Sequence, residues 1–262
     1  TTVFPDMDFS RPASADPRKL LTAATDWRVT QAFASPAVWR RLSEYCRHQG
    51  EQIPTLSRVF SCGAPVPADV LRSTLKCVAA GAEMHTPYGA TESLPVASIE
   101  ASEVLNETAA QTDAGAGICV GRKFETIDWK VIRISDEPIE SIEQIEELPA
   151  GEIGELIVRG PQVSPAYVVG EEHNAAAKIK DGETVWHRLG DVGYFDDQQQ
   201  FWYCGRKSPR VETDHGTLFT IPVEAVFNQA PRVERTALVG VEVGPTTVPV
   251  VVYEPRSKKS IY

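Results

Sequence analysis

The chain has 262 residues, of which 42% are hydrophobic and 24% are charged, and its formal net charge is -10. This composition indicates a folded chain with one large or two smaller cores and excludes a disordered one. The acidic balance argues against nucleic acid as a partner, because binding to its phosphates requires clustered lysine and arginine. We therefore expect a small molecule as the partner.

The five cysteines are an odd number without CxxC spacing, so they predict neither a disulfide framework nor a zinc site. They fit a reducing cytoplasm best. No apolar run is long enough to cross a bilayer, and no signal peptide is recognisable, so we expect no transmembrane segment. Because the first residue is Thr1 rather than methionine, we expect an excised piece of a longer protein.

The first hundred residues alternate between strand-like and helix-like segments, which is typical of a parallel sheet with crossover helices and predicts an α/β fold class. Asp16-Pro17 and Ser35-Pro36 each place a capping side chain before a proline at the first helical position, and each predicts a helix start. The predicted strands lie at 30–34, 58–61 and 83–86, and a third helix is predicted at 67–80.

Two loops follow predicted strands of this sheet, at the edge where ligands bind in such folds. Cys62-Gly63-Ala64-Pro65 has small residues that leave room for a flat ring. The second loop runs from Tyr88 to Glu92 and carries an aromatic ring, a glycine, a hydroxyl and a carboxylate. Its ring can stack on a base, Thr91 can bond a phosphate oxygen, and Glu92 can hold Mg²⁺. By composition alone, either loop is more often an ordinary turn.

After about residue 115, short segments rich in valine, isoleucine and aromatic residues favour antiparallel β structure. They lie at 127–134, 155–159, 192–195, 201–203, 237–239 and 248–253. The acidic run from Asp136 to Glu147 indicates a solvated connection or a short helix. We predict three parts, which are an α/β subdomain over 1–115, a β-rich subdomain over 116–207 and the beginning of a C-terminal lid over 208–262.

Two later motifs can bind a sugar. Leu189-Gly190-Asp191 places a carboxylate after a glycine, at a predicted turn, where it can accept both hydroxyls of a ribose. Gly205-Arg206 follows a hydrophobic strand and can supply a forked donor to the same sugar or to a phosphate. His85 and His187 flank these motifs, and we interpret both as packing or turn residues rather than as bases.

Six motifs in this order resemble the core motifs of the adenylate-forming enzymes, which include acyl-CoA synthetases, luciferases and peptide-synthetase adenylation domains. They are Ser61–Pro65, Tyr88–Glu92, Gly117–Arg122, Gly151–Pro161, Leu189–Asp191 and Gly205-Arg206. The resemblance spans most of the chain. It implies a fragment of the adenylate-forming fold, in which the loops and the two later motifs meet around one adenosine, with ATP or AMP and Mg²⁺ as cofactors.

The resemblance also implies roles for individual residues. Thr91 and Glu92 are the implied catalytic residues, Glu92 is the implied Mg²⁺ ligand, and Ser208 stands at the implied hinge of the lid. Tyr88 would stack on the purine, and Asp191 with Arg206 would hold the ribose. The implied nucleotide-binding residues are Gly63, Ala64, Pro65, Tyr88, Gly89, Ala90, Thr91, Asp191 and Arg206.

Within the family, residues 1–9 and 86–95 look most similar to the β-lactone synthetases of bacterial long-chain olefin biosynthesis. This implies adenylation of a long-chain β-hydroxy acid, closure of the acyl adenylate to a β-lactone, and association with other enzymes of the pathway. The alternatives are a fatty acyl-CoA synthetase or fatty acyl-AMP ligase, and a non-catalytic nucleotide-binding module. A dinucleotide-dependent oxidoreductase is disfavoured, because no GxGxxG follows a predicted strand.

The sequence departs from the family pattern in two ways. The glycine-rich phosphate loop and the late lysine are missing, and we expect them before Thr1 and after Tyr262, so that this piece alone should be inactive. At the hinge, Ser208 stands where the family commonly has aspartate, Glu212 replaces the usual lysine, and Pro209 fixes its own φ. These changes argue against a second step that depends on CoA. CoA is therefore an allowed but not a favoured cofactor.

Overall fold

The computed structural model describes residues 1–256, which form two compact units. The first unit comprises Thr1–Tyr88 and Ala97–Glu107, and the second comprises Gly89–Val96 and the chain from Thr108 onward. The three-part division of the chain stays a prediction, and residues 257–262 of the predicted lid lie outside the described residues.

The first unit contains a parallel sheet with crossover helices, as the alternating pattern predicts. Strand β1 pairs with β2 and β2 pairs with β3, both in parallel. Asp16 caps the first helix, since its side chain accepts a hydrogen bond from the Arg18 backbone N–H at 2.9 Å. The elements are β1 (Gln31–Ala34), β2 (Arg58–Ser61), β3 (Glu83–Ala90), α1 (Pro17–Asp26), α2 (Pro36–Gln49) and α3 (Ala68–Cys77).

The core of the first unit lies between these helices and the sheet. Trp39 is buried, and its indole N–H donates to the carbonyl of Phe60 at 3.0 Å, which ties α2 to β2. Helix α3 ends at Cys77, three residues before the predicted end at residue 80. It stops there because Val78 takes extended backbone angles and bridges Ile53, which the helical pattern of the sequence does not reveal.

The stretch from Tyr88 to Glu92 is not the loop that the sequence predicts. Tyr88, Gly89 and Ala90 are the last residues of β3, and only Thr91 and Glu92 form a turn before β4 (Ser93–Glu100). The predicted alternation with helices therefore stops at β3. Gly89 allows this turn, since a Cβ at this position would lie 2.4 Å from the Ser93 carbonyl oxygen. After β4 the chain forms α4 (Ala101–Glu103), a π-helical turn (Val104–Thr108) and α5 (Ala109–Asp113), none of which we predicted.

The second unit is built on antiparallel strands, as predicted. Its main sheet has the order β5-β11-β10-β8-β7, with β9 paired to β10, and two further two-stranded sheets join β12 with β13 and β14 with β15. Among residues 1–256, no helix has the length and apolar character needed to cross a membrane. The strands are β5 (Ile118–Cys119), β6 (Arg122–Lys123), β7 (Asp128–Ile132), β8 (Gly154–Arg159), β9 (Lys178–Asp181), β10 (Thr184–Phe195), β11 (Phe201–Arg206), β12 (Val211–Thr213), β13 (Gly216–Leu218), β14 (Val233–Val243) and β15 (Thr246–Pro255), and the helices are α6 (Glu171–Ala177) and α7 (Thr220–Phe227).

Strand β10 contains a bulge where the sequence predicts a turn. Arg188 pairs with Ile157 of β8 and Val192 pairs with Glu155, so that two extra residues lie on β10 between these pairs. Gly190 has φ +70°, a left-handed conformation that favours glycine. Gly190 therefore has the backbone conformation of a turn residue, as the Gly-Asp pair predicts, but the hydrophobic residues on both sides continue the strand. The acidic stretch before β8 is the expected connection, with one short 3₁₀ turn at Ile142–Gln144.

Candidate active site

Asp191 and Arg206 lie opposite each other on adjacent strands of the main sheet of the second unit. They are paired residues of β10 and β11, and the Arg206 Nη1 donates to Asp191 Oδ1 at 2.6 Å. The same Nη1 donates to the Leu189 carbonyl at 2.8 Å, so the guanidinium spans the bulge. Gly190 gives it room, since a Cβ there would lie 3.1 Å from Arg206 Nη2. The Asp191 side chain is 8% exposed and that of Arg206 is 55% exposed, so a fixed carboxylate lies beside an accessible cation.

A buried charge network lies next to this pair. Arg188 and Glu155 are 3% and 1% exposed at their side chains, and Arg188 Nη2 approaches Glu155 Oε2 to 2.6 Å. Lys207 adds a second cation, with Nζ 3.3 Å from the same carboxylate oxygen. The Lys207 backbone N–H also donates to the Gly190 carbonyl at 2.8 Å. The network therefore holds the end of β11, and with it Arg206, against the bulge of β10.

The residues around the predicted hinge at Ser208 hold the segment 135–137. The Ser135 carbonyl accepts from Arg188 Nη2 and from Lys207 Nζ, the latter at 2.8 Å. Beyond the hinge, the Arg210 guanidinium forms an ion pair with the Asp136 carboxylate at 2.5 Å, and its side chain is only 12% exposed. The segment 135–137, which includes the first two residues of the acidic stretch, is thus the partner of three cations near the hinge.

Glu92 is held by a separate set of contacts in the second unit. The Tyr167 hydroxyl donates to Glu92 Oε1 at 2.8 Å, and the Ser164 backbone N–H donates to the Glu92 carbonyl at 2.8 Å. The hydrogen bond from Tyr167 holds the pKa of the Glu92 carboxyl below its usual value. Glu92 is therefore a carboxylate at neutral pH. Thr91, the other residue of the turn, is exposed.

Lys178 and His187 lie around the ring of Tyr167. Lys178 Nζ is 5.5 Å from the ring centroid, and the His187 ring meets it edge-on at 6.4 Å. Burial, more than the neighbouring Lys178, lowers the pKa of His187 to about 4. Burial and the hydrogen bond to Glu92 raise the pKa of Tyr167 to about 12, so its hydroxyl is a donor at neutral pH. His187 is a buried neutral ring whose Nδ1 lies 3.1 Å from the Ala177 carbonyl oxygen, as the packing interpretation expects.

Glu92 is better suited to bind a magnesium ion that is also bound by a nucleotide than to belong to a metal site made of protein ligands alone. Among residues 1–256, no group of three or more histidine, cysteine, aspartate or glutamate side chains is arranged to hold a metal. Mg²⁺ is usually bound by one or two carboxylates together with substrate phosphates and water. A single ionised carboxylate with one oxygen already hydrogen-bonded fits that pattern.

Of the remaining predicted residues, Gly89 and Ala90 at the end of β3 belong to the second unit, and the others belong to the first. Gly63, Ala64 and Pro65 are exposed after β2, and Gly63 has φ +91°, which requires glycine. Tyr88 is half-buried near the end of β3. His85 stacks on Phe60 with ring centroids 5.9 Å apart, which agrees with a packing role. The meeting of all these motifs around one adenosine stays a prediction.

Sequence reasoning missed Tyr167, Lys178 and the Arg188–Glu155–Lys207 network. Tyr167 lies in an irregular segment before α6, and Lys178 follows three alanines, so no spacing signal marks either residue. Glu155 lies in a predicted strand, but a sequence alone does not pair it with cations more than thirty positions away.

The sequence profile of the family described as "AMP-binding enzyme" matches residues 7–168. The olefin beta-lactone synthetase of Stenotrophomonas maltophilia (strain K279a) is 48% identical over 259 residues, which is 97% of this chain and 46% of that protein. The olefin beta-lactone synthetase of Xanthomonas campestris pv. campestris is 47% identical over 92% of this chain and 43% of that protein. The chain thus spans just under half the length of these curated relatives.

Solved structures support the fold. The amide bond synthetase McbA from Marinactinospora thermotolerans superposes with a TM-score of 0.74 at 22% identity, covering 93% of this chain and 46% of that one. The o-succinylbenzoate CoA synthetase of Bacillus subtilis in complex with its acyl adenylate gives a TM-score of 0.72 at 18% identity, covering 93% and 45%. At these identities the likeness concerns the fold, and it confirms the expected α/β class as a fragment of a larger one. With a family match over more than half of its residues and two relatives at 47% and 48% identity, the chain belongs to the AMP-binding enzymes, the adenylate-forming superfamily.

Proposed function

We propose that the full-length protein uses ATP to convert a long-chain β-hydroxy acid to its acyl adenylate and then to a β-lactone. The observation that carries this proposal is the Asp191–Arg206 pair at the bulge of β10, in a chain that belongs to the AMP-binding enzymes. The β-hydroxy acid and the lactone are proposed because the relatives at 47% and 48% identity are named olefin beta-lactone synthetases.

The chemistry follows from the weakness of a carboxylate as an electrophile. In the first step a carboxylate oxygen bonds to the α-phosphorus of ATP, and pyrophosphate leaves. In the second step the β-hydroxyl oxygen of the same molecule bonds to the acyl carbon, AMP leaves, and the hydroxyl proton passes to solvent or to a base. The ring that closes has four members, and no CoA is consumed.

The residues of this chain would bind and orient the nucleotide. In the second unit, Asp191 would accept the ribose hydroxyls and Arg206 would donate to the ribose, while Thr91 would bond a phosphate oxygen. Glu92 would hold Mg²⁺, which supplies positive charge opposite the phosphates when it is bound. Ser208 would be the hinge of the lid. In the first unit, Tyr88 would stack on the purine beside backbone of the loop after β2. The residues proposed beside the adenine are Gly63, Ala64, Pro65, Gly89 and Ala90.

The nucleotide part of the proposal is tested by calorimetry on the full-length protein. AMP should bind with measurable heat, and Asp191→Ala should abolish that heat. Asp197→Ala is the matched control, because Asp197 is exposed in the connection between the same two strands and should leave AMP binding unchanged. Equal heats for wild type and Asp191→Ala would contradict the ribose role of Asp191.

The reaction itself is tested by supplying a long-chain β-hydroxy acid and ATP without CoA and identifying the product by NMR. A β-lactone with stoichiometric AMP is expected. A requirement for CoA and a thioester product would favour the runner-up, a fatty acyl-CoA synthetase, and product that stops at the adenylate would favour an acyl-AMP ligase. A cytoplasmic location, and association with enzymes that supply the acid or consume the lactone, belong to the same proposal.

A further inference from the structure

The turn that carries Glu92 is fixed by one segment of the second unit, residues 163–167. Ser93, directly after Glu92, forms an antiparallel bridge with Val163. The Ser164 backbone N–H donates to the Glu92 carbonyl and the Tyr167 hydroxyl donates to Glu92 Oε1, each at 2.8 Å. The first two contacts hold the backbone, whereas the third acts on the carboxylate itself.

The backbone and the ring of Tyr167 are in turn held from several directions. Its backbone N–H donates to Asn174 Oδ1 at 2.7 Å, and its carbonyl accepts from Asn174 Nδ2 at 3.1 Å, so that helix α6 clamps the residue. Lys178 lies over the ring and donates to the Ser164 carbonyl and hydroxyl, while His187 covers the ring edge. A phenol held in this way keeps its hydroxyl at one place relative to Glu92.

We propose that Tyr167 is the positioning residue that makes Glu92 a one-oxygen ligand for Mg²⁺. This inference rests on the proposed role of Glu92 in the adenylation site. The hydroxyl of Tyr167 occupies Oε1, so the metal would meet Glu92 through the other carboxylate oxygen. Hydrogen-bonded partners behind a ligand commonly orient it and contribute to metal affinity.

A one-oxygen carboxylate also selects between metals. Mg²⁺ requires a compact octahedral shell and takes carboxylates through one oxygen, whereas Ca²⁺ accepts six to eight ligands and often takes both oxygens of a carboxylate. Occupation of Oε1 by the Tyr167 hydroxyl therefore disfavours Ca²⁺ more than Mg²⁺. Tyr167 is in this sense a specificity-determining residue as well as a positioning one.

The test uses the full-length protein with a non-hydrolysable ATP analogue at saturation and Mn²⁺ as the probe, with free Mn²⁺ measured by electron paramagnetic resonance. Tyr167→Phe should weaken Mn²⁺ binding about tenfold. In competition titrations it should also lower the preference for Mg²⁺ over Ca²⁺, since both oxygens of Glu92 become available. Tyr194→Phe is the matched control, because the Tyr194 hydroxyl donates to the Ala116 carbonyl at 2.9 Å in the same unit and has no contact with Glu92.

Glu92→Gln separates the two levels of the proposal. If Glu92→Gln leaves Mn²⁺ binding unchanged, the proposed metal role of Glu92 fails. If Glu92→Gln weakens binding but Tyr167→Phe stays within twofold of wild type, or changes no more than Tyr194→Phe, only the positioning role fails. Should Tyr167→Phe not fold, Asn174→Ala keeps the phenol and removes its backbone clamp. It should weaken Mn²⁺ binding measurably, and wild-type affinity in that variant would overturn the inference.

Discussion

The network of Glu155, Arg188 and Lys207 should be the most sensitive charged site of the second unit. Glu155→Gln keeps the shape of the side chain and removes its charge, so that two cations lose their only carboxylate partner in the network. Removing one partner of a buried ion pair typically costs about 3–5 kcal/mol, because the other charge stays buried without compensation. An amide oxygen can still accept one hydrogen bond, so we expect a loss of about 3 kcal/mol in the free energy of unfolding.

The assay is urea unfolding followed by tryptophan fluorescence, at low and high salt. Asp128→Asn is the matched control, because Asp128 pairs with Arg159 on the neighbouring strands of the same sheet, but at side chains that are 56% and 36% exposed. An exposed pair should contribute less than about 1 kcal/mol, and added salt should reduce that further. If Glu155→Gln unfolds within about 1 kcal/mol of wild type, or if both variants lose the same free energy, the reasoning about burial is wrong.

Three further results are expected. Burial lowers the pKa of His187 to about 4 from its ordinary 6.5, so between these values the unfolded chain binds more protons and stability falls as the pH falls. Urea titrations should show a loss of roughly 1.5 kcal/mol in the free energy of unfolding between pH 6.5 and pH 5, which a non-titrating His187→Asn variant should not share. Gly193→Ala should lower the free energy of unfolding by about 3 kcal/mol, because the added Cβ would lie 2.1 Å from the Trp202 carbonyl oxygen, and an unchanged calorimetric melting temperature would contradict this. Cys62 is the partly exposed one of the five cysteines, so Cys62→Ser should remove one thiol that reacts with Ellman's reagent in the native protein, whereas the same change at buried Cys46 should remove none.

Local signals in the sequence predicted the elements of both units well. The helices after Asp16 and Ser35 both begin at the predicted proline, although only the Asp16 side chain makes a capping hydrogen bond. Runs of β-branched and aromatic residues likewise identified strands β7 and β8 nearly in full, but only the last residues of β10 and the first residues of β11. Ordered motifs then led to the family.

Features that depend on distant residues could not be predicted in the same way. A Gly-Asp pair indicates a turn, and only the pairing of β10 with β8 and β11 shows that Gly190 lies in a bulge within a strand. Glu155 and Arg188 are residue types that a sequence places at the surface, yet they are buried because each neutralises the other. Tyr167 donates to Glu92 from 75 positions away, and no local signal in the sequence indicates that pairing.

The bulge in β10 also constrains how this strand can change in length. It carries two residues more than the facing part of β8, and side chains alternate between the two faces of a sheet at every residue. Deleting one residue near Gly190 would turn every later side chain of the strand to the opposite face, with Val192 the first to leave the core. Deleting two would preserve the faces and the packing while removing the excursion that sets Asp191 against Arg206. Insertions and deletions of even length can therefore alter the chemistry of this strand without dismantling its sheet, whereas those of odd length cannot.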